Sequence, residues 1–404
     1  MLPVVVSGIG VVSAFGTSNA AFCDALLEGR SAVAPIRGFA TGDCRTTIAA
    51  EITNFDPTAW VPPMRLRRLD RTGVYALAAT RLALLDADVT LGSEGHDDIG
   101  VVFGTWTAGG QSTQQFLEAL FRQGPTGAPA LLFDSTVGNS AASLVGLEYK
   151  LRGPNVTVSH KEASGLAAIV SAVDHLREGR ARALVAGGTD AVYETFLKGH
   201  DRFRAMSRHT AFSAACAPFD STRAGFVLGE GAVGLWLDGR APGQSEPRRG
   251  EILGVAASSA AVSVNHWPDH PAPLTRTMRL ACEDAGVEPG DINVVYASAN
   301  GSLGLDGVEA AALAETFGRA RPIVTSIKGA LGEFGAAGGA ACAAALLCGR
   351  QGRVPPIAGL VDADPVARGL HLAFESMASP GPVVLVNSFA SGGALFSVVL
   401  RAAP

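Results

Sequence analysis

The stretch NVTVSHKEASGLAAI, residues 155–169, reads as a strand, a sharp turn and a helix. Asn155 to Val158 is β-branched and apolar, and the turn centres on Glu162. Ser164 and Gly165 then open an Ala- and Leu-rich helical run. A strand that feeds a helix N-terminus presents unpaired N–H groups and the positive end of the helix dipole. Nucleophiles are often carried at such a tip, because the dipole lowers their pKa. Here the tip is Glu162, a carboxylate that suits the position as an anion accepting N–H bonds but is a poor acyl acceptor beside a thiolate.

Outward from this turn the same alternation repeats. Val4 to Val6, Ile99 to Phe103, Ala183 to Val185 and Ala232 to Leu237 are short apolar runs between glycines, which predicts buried strands. Leu69 to Asp86 and Gly165 to Leu176 predict helices between them. The polar segment Asp238 to Gly250, rich in Pro and Gly, is the best internal boundary. It divides the chain into halves of residues 1–245 and 246–404. After it come Ile252 to Val255, Leu274 to Ala285, Val294 to Ala297, Ala310 to Phe317, Gly335 to Leu347 and Val383 to Val386, and Ala394 to Leu400 is expected to close a sheet. The chain is therefore expected to be α/β, in two halves with largely buried sheets.

Composition supports a large core. Of 404 residues, 48% are apolar and 17% charged, which excludes a disordered chain. The net charge is -5 with no long run of one sign, so nothing indicates a nucleic-acid partner. Arg65, Arg67, Arg68 and Arg71 form a local basic cluster, readable as a solvated helix face or as a docking patch for an acidic protein. The six cysteines show no metal-binding spacing and are expected to be free thiols in a reducing cytoplasm. The opening run MLPVVVSGIG has no basic n-region and is expected to be a strand rather than a signal peptide, and no membrane span is expected, since no run of about 20 apolar residues occurs.

The segment around Glu162 resembles the active-site elbow of the β-ketoacyl synthases, where T-A-C-x-S-G carries the nucleophilic cysteine. Glu162 falls on the cysteine, and Ser164-Gly165 match the Ser-Gly pair of that motif. Other motifs appear in family order: SGIGVVSAFG at 7–16, LRGPNVTV at 151–158, LVAGGTDA at 184–191 and PFDSTRAGFVLGEGA at 218–232. The likeness runs from Val4 to Leu400. It implies a thiolase-like five-layer αβαβα fold made of two pseudo-repeated halves.

The departures concern chemistry. The family's histidine in H-G-T-x-T-P falls on Asn300, followed by the matching Asp306 and Glu309. An amide cannot shuttle a proton near neutral pH. The histidine of K-S-x-x-G-H falls on Glu333, while Lys328 is kept. In the G-F-G-G loop, Ser391 replaces the gating Phe, whose backbone N–H helps form the oxyanion hole, and Gly392-Gly393 match. The resemblance implies that Glu162, Glu333 and Lys328 converge in a vestigial site. Lys328 is the expected partner of both carboxylates, with Lys161 and His160 as alternatives.

This pattern is similar to the chain-length factor of type II polyketide systems, the non-condensing homologue of a catalytic ketosynthase. That class usually has Gln at the cysteine position, so Glu162 is a departure. The resemblance implies a heterodimer with a Cys-containing ketosynthase, an acyl carrier protein as second partner, and neither cofactor nor metal. The helical run Gln111 to Phe121 falls where such subunits reach into the chain-growth tunnel. Gln114, Phe116 and Glu118 are candidates for its floor, although the Phe116 to Phe121 stripe also reads as core. The Arg65, Arg67, Arg68 and Arg71 cluster is the candidate carrier-docking surface. The run from Lys328 to Gly338 points toward a highly reducing, polyene-forming branch. One alternative is a malonyl-carrier decarboxylase. Another is a catalytic homodimer using Cys216 or Cys342, neither of which lies at an elbow. Acid/base work by paired carboxylates is the last. His175, His200, His209, His266, His270 and His371 are expected at the surface or in loops, and the His266 to His270 segment as a structured loop rather than a metal site.

Overall fold

The computed structural model describes residues 3–208, 216–239 and 249–404. The 245/246 boundary and His209 lie outside the described residues. In chain order the main elements are β1 (Val4–Val12), α1 (Asn19–Leu27), α2 (Arg71–Asp86), β2 (Ile99–Gly104), α3 (Gly110–Gln123), β3 (Asn155–Val158), α4 (Ser164–Arg177), β4 (Ala183–Asp190) and β5 (Gly231–Asp238). The second half supplies β6 (Gly250–Ser259), α5 (Ala272–Ala285), β7 (Val294–Tyr296), α6 (Leu303–Phe317), β8 (Ile323–Thr325), α7 (Ala337–Arg350), β9 (His371–Leu372), β10 (Val383–Phe389) and β11 (Ala394–Ala402).

These strands form one eleven-stranded sheet in the order β9-β8-β7-β10-β11-β6-β1-β5-β4-β2-β3. The order contains a duplication. In the first half the strands lie as third, second, fourth, fifth, first. In the second half, with β9 added outside, they lie in the same sequence. The two first strands, β1 and β6, pair antiparallel through Val4–Ile252 and Val6–Gly250, joining the halves about a pseudo-two-fold. In each half the outer strands run parallel and the last two pairings are antiparallel. The expectation that Ala394 to Leu400 would close the sheet is corrected. β11 is central, between β10 and β6, and the edges are β9 and β3. A nearly continuous apolar strand suits an interior position, where both faces are covered.

The layers follow from burial. α4 and α7 are the shared middle layer, packed together and against strands of both halves. α7 reads AGGAACAAALLCGR, and every residue from Ala337 to Cys348 is buried. Small side chains permit this crowding, because a Cβ added at Gly338 would lie 2.8 Å from that of Leu166 on α4. α2 covers β1, β5 and β4 from outside, and α5 covers β6 and β11. Gly10 marks the tightest of these contacts: a Cβ there would meet the Ala79 carbonyl of α2 at 2.0 Å. The result is the five-layer αβαβα arrangement of the thiolase fold. No helix among the described residues is long and apolar enough to cross a membrane.

Candidate functional site

The elbow forms between β3 and α4. Lys161 adopts φ +51°, and Lys161–Ala163 makes a short 3-10 turn. Ser164 fixes the bend, accepting from the His160 N–H at 2.9 Å and donating to the Lys161 carbonyl at 2.7 Å. The Gly165 N–H bonds the Gly335 carbonyl at 2.7 Å, pinning the elbow to the start of α7. A positive φ at a bulky residue is uncommon and worth attention at such a turn.

Glu162 is buried at the tip. Its carboxylate accepts the Ser391 N–H at 3.2 Å and the Ser391 hydroxyl at 2.8 Å. The expected N–H bonds thus come from the loop before Gly392-Gly393 and not from the N-terminus of α4. Lys161 braces the same loop, its Nζ 2.5 Å from the Ser391 Oγ, 3.2 Å from the Ser391 carbonyl and 2.5 Å from the Asn265 Oδ1. No cation among the described residues forms an ion pair with Glu162.

The second cluster is sealed more deeply. Lys328 Nζ is 2.7 Å from Glu333 Oε2 and donates to the Ser298 carbonyl at 2.9 Å. Asn300 Nδ2 donates to the same Glu333 oxygen at 2.7 Å. Lys328, Glu333 and Asn300 are all buried, and Glu333 Oε1 has no hydrogen-bond partner. Burial pushes the Glu333 carboxyl up to about 7. Lys328 opposes the rise and the Glu162 charge adds to it. The single convergent cluster expected from sequence therefore resolves into two units. Lys328 holds Glu333, and Ser391 holds Glu162. Of the suggested alternatives, Lys161 reaches Glu162 only through Ser391, while the His160 ring leans on Phe396 at 5.3 Å.

A cavity of about 330 Å³ opens onto Glu162 and Ser391, walled by Lys161, His200, Asn265 and Trp267. His200 corrects an expectation, because it is half-buried on the Glu194–Arg202 helix and not free at the surface. It packs against Trp106 and Phe196, and burial pushes its pKa down. Phe196 and Phe203 flank it at helical spacing, while Trp106 and Phe226 reach it from distant segments. The His266 to His270 loop also serves the site: the His266 carbonyl accepts the Gly392 N–H at 3.0 Å, and Trp267 lines the cavity. Among the described residues no group of three His, Cys, Asp or Glu side chains is placed to hold a metal.

The remaining motif carboxylates knit the frame together. Asp190 accepts from the Trp106 N–H at 2.7 Å, the Thr107 N–H at 2.8 Å and the Ala336 N–H at 2.8 Å. Asp306 accepts from Phe219, Asn300 and Gly301, and Arg223 bridges Asp306 and Asp364. Burial pushes both Asp190 and Asp306 up to about 6. Glu309 accepts from the Ser298 N–H and from Asn387, and burial pushes it up to about 7.

This sheet order, elbow and motif scaffold match two family models: the β-ketoacyl synthase N-terminal domain over residues 1–241 and its C-terminal domain over 249–361. The chain belongs to the β-ketoacyl synthase family. It is 30% identical to 3-oxoacyl-(acyl-carrier-protein) synthase 2 of Coxiella burnetii, covering 98% of each chain. It is 32% identical to the tetracenomycin polyketide synthase ketoacyl synthase beta subunit of Streptomyces glaucescens, over 88% of each. Among solved structures, the ishigamide ketosynthase/chain length factor superposes with TM-score 0.91 at 28% identity, covering 100% of this chain and 99% of that one. A beta-ketoacyl synthase from Burkholderia phymatum gives 0.92 at 28%, covering both chains fully.

The other sequence candidates separate in space. Gln114 and Glu118 line an open groove of about 540 Å³ with Leu117, Phe121 and Tyr193. Phe116 turns away from it and meets the Phe133 ring at 5.7 Å. The reading of the Phe116 to Phe121 stripe as core is corrected: Phe121 is 81% exposed. Arg71 points inward to the buried Glu230, and Arg65 pairs with Glu148 at 2.7 Å. Arg67 and Arg68 are exposed.

Proposed function

We propose that this ketosynthase-family chain is a non-condensing subunit of the chain-length-factor type, acting beside a Cys-bearing ketosynthase of a polyketide system. The observation that carries this reading is the Glu162–Ser391 pair. The tip that holds a thiol in condensing relatives holds a carboxylate. That carboxylate takes the Ser391 N–H, the group that stands where the family's oxyanion-hole donor does. A carbonyl oxygen has no free donor there, and Asn300 and Glu333 hold each other where a condensing enzyme needs two histidines.

The partner surface is the β3 end of the sheet. β3 is an edge with one side unpaired, and the helix Ser140–Glu148 packs beside it. Leu131, Phe133, Val137 and Leu147 stand exposed there. An open strand edge beside such an apolar group fits another ketosynthase chain with its own matching edge. The groove under Gln114, Glu118, Leu117 and Phe121 would then be closed by the partner to form the end of its chain-growth tunnel. Arg65, Arg67 and Arg68 remain for the acidic carrier protein, while Arg71 is committed to Glu230. A cytoplasmic, polyene-forming system is the setting we favour, on the Lys328 to Gly338 run.

The test is co-expression with a Cys-bearing ketosynthase from the same gene neighbourhood, followed by size-exclusion chromatography with mass analysis and product assay. A 1:1 complex that makes product when neither chain does so alone is the expected result. Within that complex, Phe121→Ala should lengthen the product. A homodimer that ignores the ketosynthase and decarboxylates a malonyl carrier by itself would overturn the proposal in favour of the decarboxylase reading.

A further inference from the structure

Two buried thiols meet far from the elbow pocket. Cys23 lies on α1 and Cys348 in the last turn of α7, and their sulfurs are 3.1 Å apart. That is about 1 Å beyond the bonded distance of a disulfide. Both residues are buried, yet Gln351 sits exposed just past the helix end and its amide reaches the Cys23 sulfur at 3.3 Å.

The two sulfurs are not equivalent. Cys23 receives the Gln351 N–H and lies within hydrogen-bonding reach of Cys348, an arrangement that favours a thiolate on Cys23 when Cys348 is the donor. The Cys348 hydrogen bond holds the Cys23 thiol below its usual value against the opposing effect of burial. Elsewhere burial works alone or dominates. It pushes Cys216 up to about 12 and Cys282 up to about 11, leaving both inert. No other thiol pair among the described residues is within hydrogen-bonding reach.

We propose that Cys23 and Cys348 are a peroxide-responsive modification site that closes to a disulfide between α1 and α7. The Cys23 thiolate attacks one peroxide oxygen, the O–O bond breaks, and hydroxide leaves, giving a sulfenic acid on Cys23. The Cys348 sulfur then displaces the sulfenic oxygen, which departs as water with the thiol proton. The sum is two thiols and one hydrogen peroxide giving one disulfide and two waters. Dithiol reductants reverse it. The bond would tie the first helix of one half to the middle-layer helix of the other. α7 begins beside the elbow, so the tie also restrains the helix against which Glu162's turn is pinned.

The test uses the full-length chain, reduced and then titrated with hydrogen peroxide. Thiols counted after denaturation should fall from six to four, since 6 − 2 = 4. A non-reducing peptide map should show one cross-link, between the peptides of Cys23 and Cys348. Closing a loop of this size should raise Tm by roughly 5 °C, and dithiothreitol should reverse the rise. Cys23→Ser and Cys348→Ser should each abolish the cross-link and the Tm rise. If either variant does not fold, the wild-type peptide map decides alone. Six surviving thiols, a cross-link through another cysteine, or Cys23 overoxidised while Cys348 stays free would each overturn the proposal.

Discussion

Glu162 and Glu333 fall on two positions that the family resemblance assigns to one site, yet the chain treats them differently. Glu162 faces a cavity and is held by the N–H and hydroxyl of one serine. Glu333 is enclosed, bonded by a lysine and an amide, and leaves one oxygen without a partner. The first arrangement is a cap that solvent still reaches. The second is an internal lysine–carboxyl pair that becomes ionic as pH rises through about 7, and its partners must then stay together, because a buried charge without a counter-charge is costly. The two carboxylates thus have two different settings, a plug at the mouth and a structural tie beneath it.

The largest expected effect tests that contrast directly. Above about pH 7, where Glu333 is ionised, Lys328→Met should destabilise the fold by about 3–5 kcal/mol, since it leaves that charge buried beside no cation. Glu162→Gln should cost only about 1 kcal/mol, because an amide can still engage Ser391. Denaturant unfolding of both variants measures the gap, and equal losses would erase the distinction between plug and tie.

A pH series sharpens it. Glu333 and Glu309 are raised from 4.5 to about 7, in each case by burial first. Each keeps its proton across a window where the unfolded chain has lost it. Their stabilising effect is therefore present below the unfolded value and is lost as pH rises to about 7, by up to about 3 kcal/mol per group. Tm should fall between about pH 5 and pH 8, and Glu309→Gln should flatten the slope. A Tm that climbs over that range would mean that these carboxyls ionise freely in the fold.

The smallest effect isolates the plug. Ser391→Ala removes one of the two bonds to Glu162 and one to Lys161 while leaving the backbone N–H. It should cost about 1 kcal/mol and leave the pH slope unchanged. A changed slope would show that the Ser391 bond bears on Glu333, and the separation of plug from tie would fail.

How legible each feature was depended on its range. Motifs such as PFDSTRAGFVLGEGA are contiguous, so Arg223 and Glu230 could be seen in the sequence before their partners were known. Glu162, Asn300, Glu333 and Lys328 were found the same way. The division of that site in two was not legible, because Ser391 and Lys328 differ in reach and direction only once β10 and α7 are placed. The centrality of β11 was hidden too, since an apolar strand reads alike at the edge and in the middle. His200 was legible only in part: Phe196 and Phe203 stand beside it at helical spacing, but Trp106 and Phe226 complete its aromatic setting only in the fold. Phe121 misled because helical spacing reports a stripe but not what covers it.

The open strand β3 has a consequence for supply. It is only four residues long, and it carries a Thr157 hydroxyl that is buried without a partner. Whatever chain completes that edge adds its binding free energy to the folded state alone, so the stability of this subunit follows mass action. Under the pairing proposed above, its melting temperature should depend on the dose of the ketosynthase chain, and a cell making the two in unequal amounts would accumulate the surplus as the less durable species.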